Sequence, residues 1–234
     1  MASTTPVPVT IAVDDALQVS ALLQAPDDCD ACYVLAHGAG AGMAHPFMAA
    51  IADELAVRGI ASLRYQFPYM EKGSRRPDSP KVAHATVRAA VAEAARLLPG
   101  VTLVAGGKSF GGRMTSQAQA IAPLAGVRGL AFLGFPLHPA GAPSSDRGGH
   151  LFDVQVPMLF LQGTRDELAD RALVEALAGQ LSALATLELV ADADHSFHVR
   201  KSSGRTDAQV IASLAQSLAA WIVRTILRGE RQRR

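Results

Sequence analysis

The feature that most constrains this chain is a serine placed among glycines, where an apolar segment meets a helical one. The segment reads Gly106-Gly107-Lys108-Ser109-Phe110-Gly111-Gly112. The apolar run Val101 to Ala105 leads into it, and a helical pattern takes over near Gly111. Because glycines lack a Cβ, a strand and a helix can pass close together here while the serine oxygen projects from a sharp turn. The pattern predicts a nucleophile elbow at Ser109. The alternative is a glycine-rich turn with a passive serine, and the spacing does not match a phosphate loop.

Apolar segments of strand length alternate with helical segments along the rest of the chain. The strand predictions are Val7–Val13, Leu17–Leu23, Tyr33–Ala36, Ile60–Tyr65, Val101–Ala105, Arg128–Phe135, Pro157–Leu161 and Thr186–Val190. The helix predictions are Pro46–Val57, Val82–Leu98, a helix from near Gly111 to before Pro123, Leu168–Leu177 and Asp207–Leu227. The alternation predicts an α/β fold with a mostly parallel sheet of about seven or eight strands, flanked by helices. We expect a single domain over residues 1–234, with a disordered tail at about 229–234.

The charge balance argues against some classes of partner. The chain has 22 Lys and Arg against 21 Asp and Glu, a formal net charge of +1. That balance gives no electrostatic reason to expect nucleic acid or an anionic membrane. The first residues lack the basic and apolar regions of a secretory signal. Polar residues interrupt Ala208 to Leu227 at helical spacing, which favours an amphipathic helix docked on the sheet over a membrane span. We therefore expect a soluble, cytoplasmic protein.

The two cysteines form a Cys-x-x-Cys pair at Cys29 and Cys32. Such spacing is typical of redox sites when it begins a helix, because the helix lowers a thiol pKa. Here the pair precedes the strand Tyr33 to Ala36, and no other cysteine is available to complete a zinc site. Two ordinary cysteines in a turn between strands are the favoured interpretation. No motif predicts a metal or a cofactor.

A serine nucleophile needs a histidine base that is oriented by a carboxylate, in the chain order Ser, Asp or Glu, His. Asp166 follows the strand Pro157 to Leu161, where the carboxyl ends of parallel strands collect catalytic groups. Its alternative role is to cap the next helix, and Asp170 is the weaker candidate acid. His195 follows the last predicted strand, and His198 is its competitor. The sequence therefore predicts a triad of Ser109, Asp166 and His195.

Backbone N–H groups are expected to stabilise the oxyanion of an acyl-transfer reaction. One is the N–H of Phe110, directly after the nucleophile. The other comes from the glycine-rich loop His37-Gly38-Ala39-Gly40-Ala41-Gly42. We predict the N–H of Ala39 there, with Gly40 as the alternative, and a merely flexible turn as the competing interpretation of the loop.

Four further residues are candidates for substrate binding. Lys108 and Arg113 flank the serine, and Arg binds carboxylates in bidentate fashion. Structural ion pairs explain these two cations equally well. Tyr69 and His138 lie in loops that are expected to cover the site. The strands at Phe135 and Pro157 are only about twenty residues apart, too close for a large helical lid.

Taken in order, these segments resemble the α/β-hydrolase superfamily along nearly the whole chain. More narrowly, the chain is similar to a dienelactone-hydrolase-like branch that includes testis-expressed and chromatin-complex-associated hydrolase-like proteins. The segments that carry the likeness are Ala36-His37-Gly38-Ala39-Gly40, Phe67-Pro68-Tyr69-Met70-Glu71, Gly107-Lys108-Ser109-Phe110-Gly111-Gly112-Arg113, Phe135-Pro136-Leu137-His138-Pro139 and Gln162-Gly163-Thr164-Arg165-Asp166. True dienelactone hydrolases use cysteine as nucleophile, so Ser109 departs from that activity.

The residues and the resemblance together imply a serine hydrolase. A carboxylesterase or thioesterase that acts on small acyl substrates is the expected activity. A peptidase or amidase uses the same triad and stays open. A non-catalytic scaffold that retains the fold for protein binding is the second alternative. The sequence carries no sign of the oligomeric state.

Overall fold

The computed structural model describes residues 4–228, and the tail predicted to be disordered at 229–234 lies outside this range. Eight strands form one sheet: β1 (Val7–Ala12), β2 (Gln18–Gln24), β3 (Ala31–Ala36), β4 (Ile60–Tyr65), β5 (Thr102–Lys108), β6 (Val127–Leu133), β7 (Met158–Gly163) and β8 (Ala185–Val190). The α-helices within the described range are α1 (Pro46–Val57), α2 (Pro68–Glu71), α3 (Pro80–Leu97), α4 (Phe110–Ile121), α5 (Arg171–Leu181) and α6 (Asp207–Trp221).

The strand order of the sheet is β1-β2-β4-β3-β5-β6-β7-β8. The pairs β1–β2 and β2–β4 are antiparallel, and every later pair is parallel. Strands β3, β4 and β7 are buried along their whole length, as expected for a sheet that is covered on both faces. The prediction of an α/β fold with a mostly parallel sheet is therefore confirmed.

Successive residues of β3 point into different cores on the two faces of the sheet. One core receives Cys32, Val34 and Ala36 together with buried side chains of α3, α4 and α5. The other receives Ala31, Tyr33 and Leu35 together with buried side chains of α1 and α6. Burial of each large aliphatic side chain contributes about 1.5–3 kcal/mol relative to exposure. The strand periodicity of two thus decides which helices each strand residue supports.

Some local elements differ from the sequence predictions. The segment from Phe67 to Pro80, predicted as a loop, contains α2 and the start of α3. Both helices begin at a proline, whose fixed φ suits the first helical turn. The connection from β6 to β7 contains a 3-10 helix, Asp146–Asp153, which was not predicted. No lid domain stands in that connection, as the short spacing predicted.

Helix α6 and its π-helical continuation Ile222–Leu227 are long and apolar enough to cross a membrane by length and composition alone. In the folded protein their apolar face packs on the sheet. Trp221 and Ile226 lie so close to Gly129 that a Cβ there would stand 2.8 Å from each side chain. The segment is the amphipathic helix that was predicted, and a soluble, cytoplasmic protein stays a prediction.

Helix α4 approaches the sheet closely at its start. A Cβ at Gly111 would lie 2.6 Å from the carbonyl oxygens of Ala36 and His37, at the end of β3. Gly111→Ala is therefore expected to push α4 off the sheet and to lower the free energy of unfolding by about 1–3 kcal/mol. Urea denaturation followed by circular dichroism measures the change.

Gly179 in α5 provides the matched control, because no atom lies within 4 Å of a Cβ added there. Gly179→Ala is expected to stabilise the protein by about 0.5–1 kcal/mol, since alanine is the better helix former. A Gly111→Ala variant as stable as Gly179→Ala would contradict the tight packing of α4.

Candidate active site

Ser109 connects β5 to α4 in a strained backbone conformation, with φ 50° and ψ −117°. This left-handed φ is rare for a residue with a side chain and persists only where the surroundings enforce it. Its N–H donates to the carbonyl of Leu133 in the neighbouring strand, over 3.2 Å. A Cβ at Gly107 would lie 2.2 Å from the carbonyl oxygen of Ala36, so the turn has room only for glycine there. The predicted strand–turn–helix unit is present, with the serine at its apex.

The structure brings together the three side chains that were predicted as a triad. His195 Nε2 lies 2.8 Å from the Ser109 hydroxyl oxygen. His195 Nδ1 lies 2.7 Å from Asp166 Oδ2. The Asp166 side chain is fully buried, and that of His195 is 23% exposed. The imidazole therefore lies between a hydroxyl that faces the pocket and a carboxylate that water does not reach.

Two more donors hold the Asp166 carboxylate. Gln162 Nε2 donates to Oδ2 over 2.5 Å, and the N–H of Leu168 donates to Oδ1 over 2.8 Å. Gln162 is itself fixed, because its Oε1 accepts from the N–H of Phe135. Sequence analysis did not assign a role to Gln162. The signal was an amide side chain near the end of the otherwise apolar strand β7.

The competing candidates for acid and base have other roles. Asp170 caps α5, with Oδ1 accepting from the N–H of Leu173 over 3.1 Å. His198 lies at the mouth of the pocket, and its Nδ1 lies 2.6 Å from Asp207 Oδ2. The geometry therefore favours Asp166 over Asp170 and His195 over His198.

The loop after β3 faces the serine from the other side. Gly40 donates its N–H to the Tyr69 hydroxyl oxygen over 3.2 Å, so this N–H is already engaged. Ala39 is exposed and lines the pocket, and its N–H forms no hydrogen bond within residues 4–228. Phe110 is the first residue of α4, and the N–H groups of a first helical turn have no acceptor in the helix. Of the two loop candidates, the contacts favour Ala39 over Gly40.

A buried histidine supports that loop from below. His37 Nε2 accepts from the N–H of Phe67 over 3.0 Å, which leaves Nδ1 to donate to the carbonyl of Gly38 over 2.8 Å. Burial lowers the pKa of His37 to about 4, so the ring is neutral at pH 7. The ring packs edge-on against Phe67, with centroids 5.0 Å apart. His37 is a structural residue of the loop.

Lys108 was predicted to bind substrate, but its ammonium group contacts the loop that carries His195. It lines the pocket, but its Nζ donates to the carbonyl oxygen of His195 over 2.6 Å. The ammonium also lies 5.5 Å from the ring centroid of Phe197. Burial lowers the pKa of Lys108 to about 8, and the charges of Asp166 and Asp194 oppose that shift. Lys108 therefore stabilises the position of the loop that carries His195.

The other three residues predicted to bind substrate, Arg113, Tyr69 and His138, are not among those that line the pocket over Ser109. Arg113 lies one helical turn beyond Ser109 on α4, beside the charge of Arg147. Tyr69 supports the loop at Gly40, as described above. His138 is buried, and its Nε2 accepts from the N–H of Asp170 over 2.7 Å.

The pocket itself has a volume of about 610 Å³ and opens over Ser109 and His195. The rings of Phe47 and Phe197 stack at its wall, with centroids 5.8 Å apart and planes 7° from parallel. Further apolar lining residues are Pro46, Met48, Ala50, Leu168 and Ile211, and the polar ones at its edge are His45, His198 and Asp207. Most of these wall residues were not predicted from the sequence, because they come from α1, α6 and the loops after β7 and β8, far from the serine in the chain.

Neither cysteine belongs to the site. Both thiols are free, and Cys32 is the second residue of β3. Burial raises the pKa of Cys32 to about 12, which suppresses the reactive thiolate. Within residues 4–228, no group of three or more His, Cys, Asp and Glu side chains is arranged to hold a metal ion.

The lowered pKa of Lys108 leads to a pH dependence of stability. From about 8 up to the ordinary value of 10.5, the unfolded chain keeps a proton on Lys108 that the folded protein releases. Stability rises with pH wherever the unfolded state binds more protons. Over this range the wild type is expected to gain up to about 3 kcal/mol relative to Lys108→Met. Urea titrations at several pH values measure the difference.

Lys81→Met is the matched control, because Lys81 is exposed at the start of α3. Its stability profile is expected to follow the wild type across the same pH range. Parallel profiles for Lys108→Met and the wild type would contradict the burial of the Lys108 ammonium.

Comparison with known proteins agrees with this fold. A family model described as an alpha/beta hydrolase domain matches residues 29–223. A dienelactone hydrolase from Anabaena variabilis superposes with a TM-score of 0.75 at 17% identity, covering 95% of this chain and 98% of that one. An α/β serine hydrolase without lid from Xanthomonas campestris gives 0.70 at 20% identity, covering 94% of each chain. Est1E from Butyrivibrio proteoclasticus gives 0.68 at 16% identity, covering 92% of this chain and 98% of that one. The chain belongs to the α/β-hydrolase family, as its sequence resemblance implied.

Proposed function

We propose that the protein is a serine hydrolase, a carboxylesterase or thioesterase, that acts on small acyl substrates. The observation that carries this proposal is the unbroken hydrogen-bonded chain from Ser109 through His195 to Asp166. A nucleophile within reach of a base, which a third group orients, is the arrangement that activates a serine. The exposed mouth of the pocket over the serine gives a substrate access to it.

In this mechanism the Ser109 oxygen attacks the carbonyl carbon of the substrate and gives its proton to His195 Nε2. The buried carboxylate of Asp166 holds the other ring nitrogen and stabilises the imidazolium that forms. The tetrahedral intermediate collapses when His195 returns the proton to the leaving alcohol or thiol, which departs from an acyl-enzyme. A water molecule then repeats the cycle, with His195 as its base, and releases the carboxylic acid.

The N–H groups of Ala39 and Phe110 are the proposed oxyanion donors. Each such donor is worth about 3–4 kcal/mol in the transition state when it is aimed at the developing charge. The start of α4 adds the positive end of the helix dipole on the same side. The hydrogen bond from Gly40 to Tyr69 holds the loop from which Ala39 faces the pocket.

The size and lining of the pocket favour a small substrate with an apolar part. A volume of about 610 Å³ lies within the ordinary range of small-molecule sites. The stacked rings of Phe47 and Phe197 offer a flat wall for an acyl chain or an aromatic ring. Est1E, which shares the fold, has been solved with ferulic acid bound. This agrees with an aryl or short acyl group as the preferred substrate part.

Ser109→Ala is expected to lower kcat on short-chain p-nitrophenyl esters by at least about 10⁴-fold, because no other group replaces the nucleophile. Ser202→Ala, an exposed serine in the 3-10 helix Lys201–Ser203, is the matched control and is expected to keep full turnover. A fluorophosphonate probe should label Ser109 in the wild type and leave Ser109→Ala unlabelled. A wild type that neither turns over esters nor accepts the probe would support a non-catalytic scaffold.

Asp166→Asn tests the orienting role of the carboxylate. The amide cannot stabilise the imidazolium and favours the wrong tautomer of His195, so kcat is expected to fall by about 10⁴-fold with the fold intact. Asp170→Asn is the control, since asparagine caps a helix as well as aspartate does. Equal activities of these two variants would remove Asp166 from the mechanism.

A further inference from the structure

A group of basic side chains lies where α3, α4 and the 3-10 helix Asp146–Asp153 meet, and the proposed hydrolase function does not use it. We call it the basic cluster, and its members are His84, Arg113, Arg147 and His150. None of these residues lines the pocket over Ser109. The proposed hydrolase reaction therefore does not account for these four side chains.

Two hydrogen bonds bring the three elements together. His150 Nε2 lies 2.7 Å from the hydroxyl oxygen of Ser116, and His84 Nε2 lies 3.2 Å from Oε1 of Gln117. Arg113 stands three and four residues before Ser116 and Gln117, so all three project from the same face of α4. One helix face thus presents a guanidinium between an imidazole of α3 and an imidazole of the 3-10 helix.

The two arginines of the cluster have no counter-charge. Arg113 is half-buried, and both burial and the charge of Arg147 lower its pKa. Neither guanidinium forms an ion pair within residues 4–228. Arg88, the next cation on α3, is by contrast engaged with the carbonyl of Ala118 over 2.5 Å. Two neighbouring like charges without a partner repel each other, and a bound anion relieves this repulsion.

Burial lowers the pKa of both histidines of the cluster, so each binds a proton less readily than a free imidazole does. Burial lowers the pKa of His150 to about 4, and the charges of Arg113 and His84 act in the same direction, with Asp153 alone opposing them. The Ser116 hydroxyl donates to the carbonyl of Arg113 over 3.0 Å, so it accepts from Nε2–H of His150. Nδ1 of His150 then keeps a free lone pair.

We propose that the basic cluster binds a small oxyanion, a phosphoryl group, between the guanidinium groups of Arg113 and Arg147. Guanidinium groups match the geometry of phosphoryl oxygens with paired N–H donors, and two of them balance a dianion. No member of the cluster lines the acyl pocket, and phosphate binding does not depend on the hydrolase activity.

Isothermal titration with sodium phosphate tests the site at constant ionic strength, maintained with sodium chloride. The wild type is expected to bind one phosphate saturably at millimolar concentration. Arg113→Gln and Arg147→Gln are each expected to weaken binding by at least about tenfold, which corresponds to 1.4 kcal/mol. Arg75→Gln removes the same charge from an exposed loop position and is expected to bind like the wild type.

Circular dichroism and thermal unfolding establish that each variant is folded. Should Arg113→Gln fail to fold, Arg147→Gln carries the test, because Arg147 belongs to a short 3-10 helix and not to the core helix α4. Absence of saturable phosphate binding by the wild type would overturn the proposal. Unchanged affinity in a folded Arg147→Gln variant would overturn it as well.

Inhibition kinetics then distinguish two sources of the phosphoryl group. If phosphate raises KM for a phosphorylated ester but not for an uncharged one, the cluster holds the phosphoryl end of a substrate. If KM for both esters is unaffected while binding persists, the cluster takes free phosphate or a phosphorylated effector. Both outcomes require that the phosphate binding is lost in the arginine variants.

Discussion

The close contact of the β5–α4 turn with the end of β3 is the constraint on which the rest of the site depends. Gly107 and Gly111 both lie against the carbonyl of Ala36, at distances that exclude a side chain. This contact bends the chain sharply enough to hold Ser109 at a positive φ. It also sets the serine beside the loop that begins at His37, where a Cβ on Gly38 would lie 3.7 Å from Cβ of Ser109. One packing contact between neighbouring strands thus positions the proposed nucleophile and the proposed donors for its oxyanion.

A second close approach, between two loops, positions the proposed acid and base. The loops after β7 and β8 run side by side, and a Cβ on Gly163 would lie 2.4 Å from the carbonyl of Ala193. This proximity puts Asp166 and His195 within hydrogen-bond distance although 29 positions separate them in the chain. Lys108 connects the two halves of the site, because it precedes the serine and donates to the carbonyl of His195. The hydrogen-bonded chain is therefore supported at each end by backbone contacts and across its middle by a lysine.

The cations and imidazoles near the serine are all affected by burial, but their neighbours differ in charge. Burial keeps the ring of His37 neutral beneath the loop that carries Ala39, the proposed oxyanion donor, because a positive charge there would have no partner. Lys108 is desolvated but faces acidic neighbours, whereas Arg113 is desolvated beside another arginine. No ion pair within residues 4–228 offsets the repulsion between Arg113 and Arg147, which is why we propose that the basic cluster binds an anion. Lys108 and Arg113 both flank Ser109 in the sequence, but Lys108 ends β5 whereas Arg113 lies on α4, so their side chains have different surroundings.

The sequence by itself determined the order of strands and helices, the strained turn at Ser109 and the chain order of acid and base. These depend on periodicity, glycine positions and the ends of strands, all of which are local. Only the tertiary structure decided that Tyr69 holds Gly40, that Gln162 holds Asp166 and that Phe47 meets Phe197. These contacts join segments that are distant in the chain or depend on the direction of a side chain. No local sequence pattern predicts a distant contact or a side-chain direction.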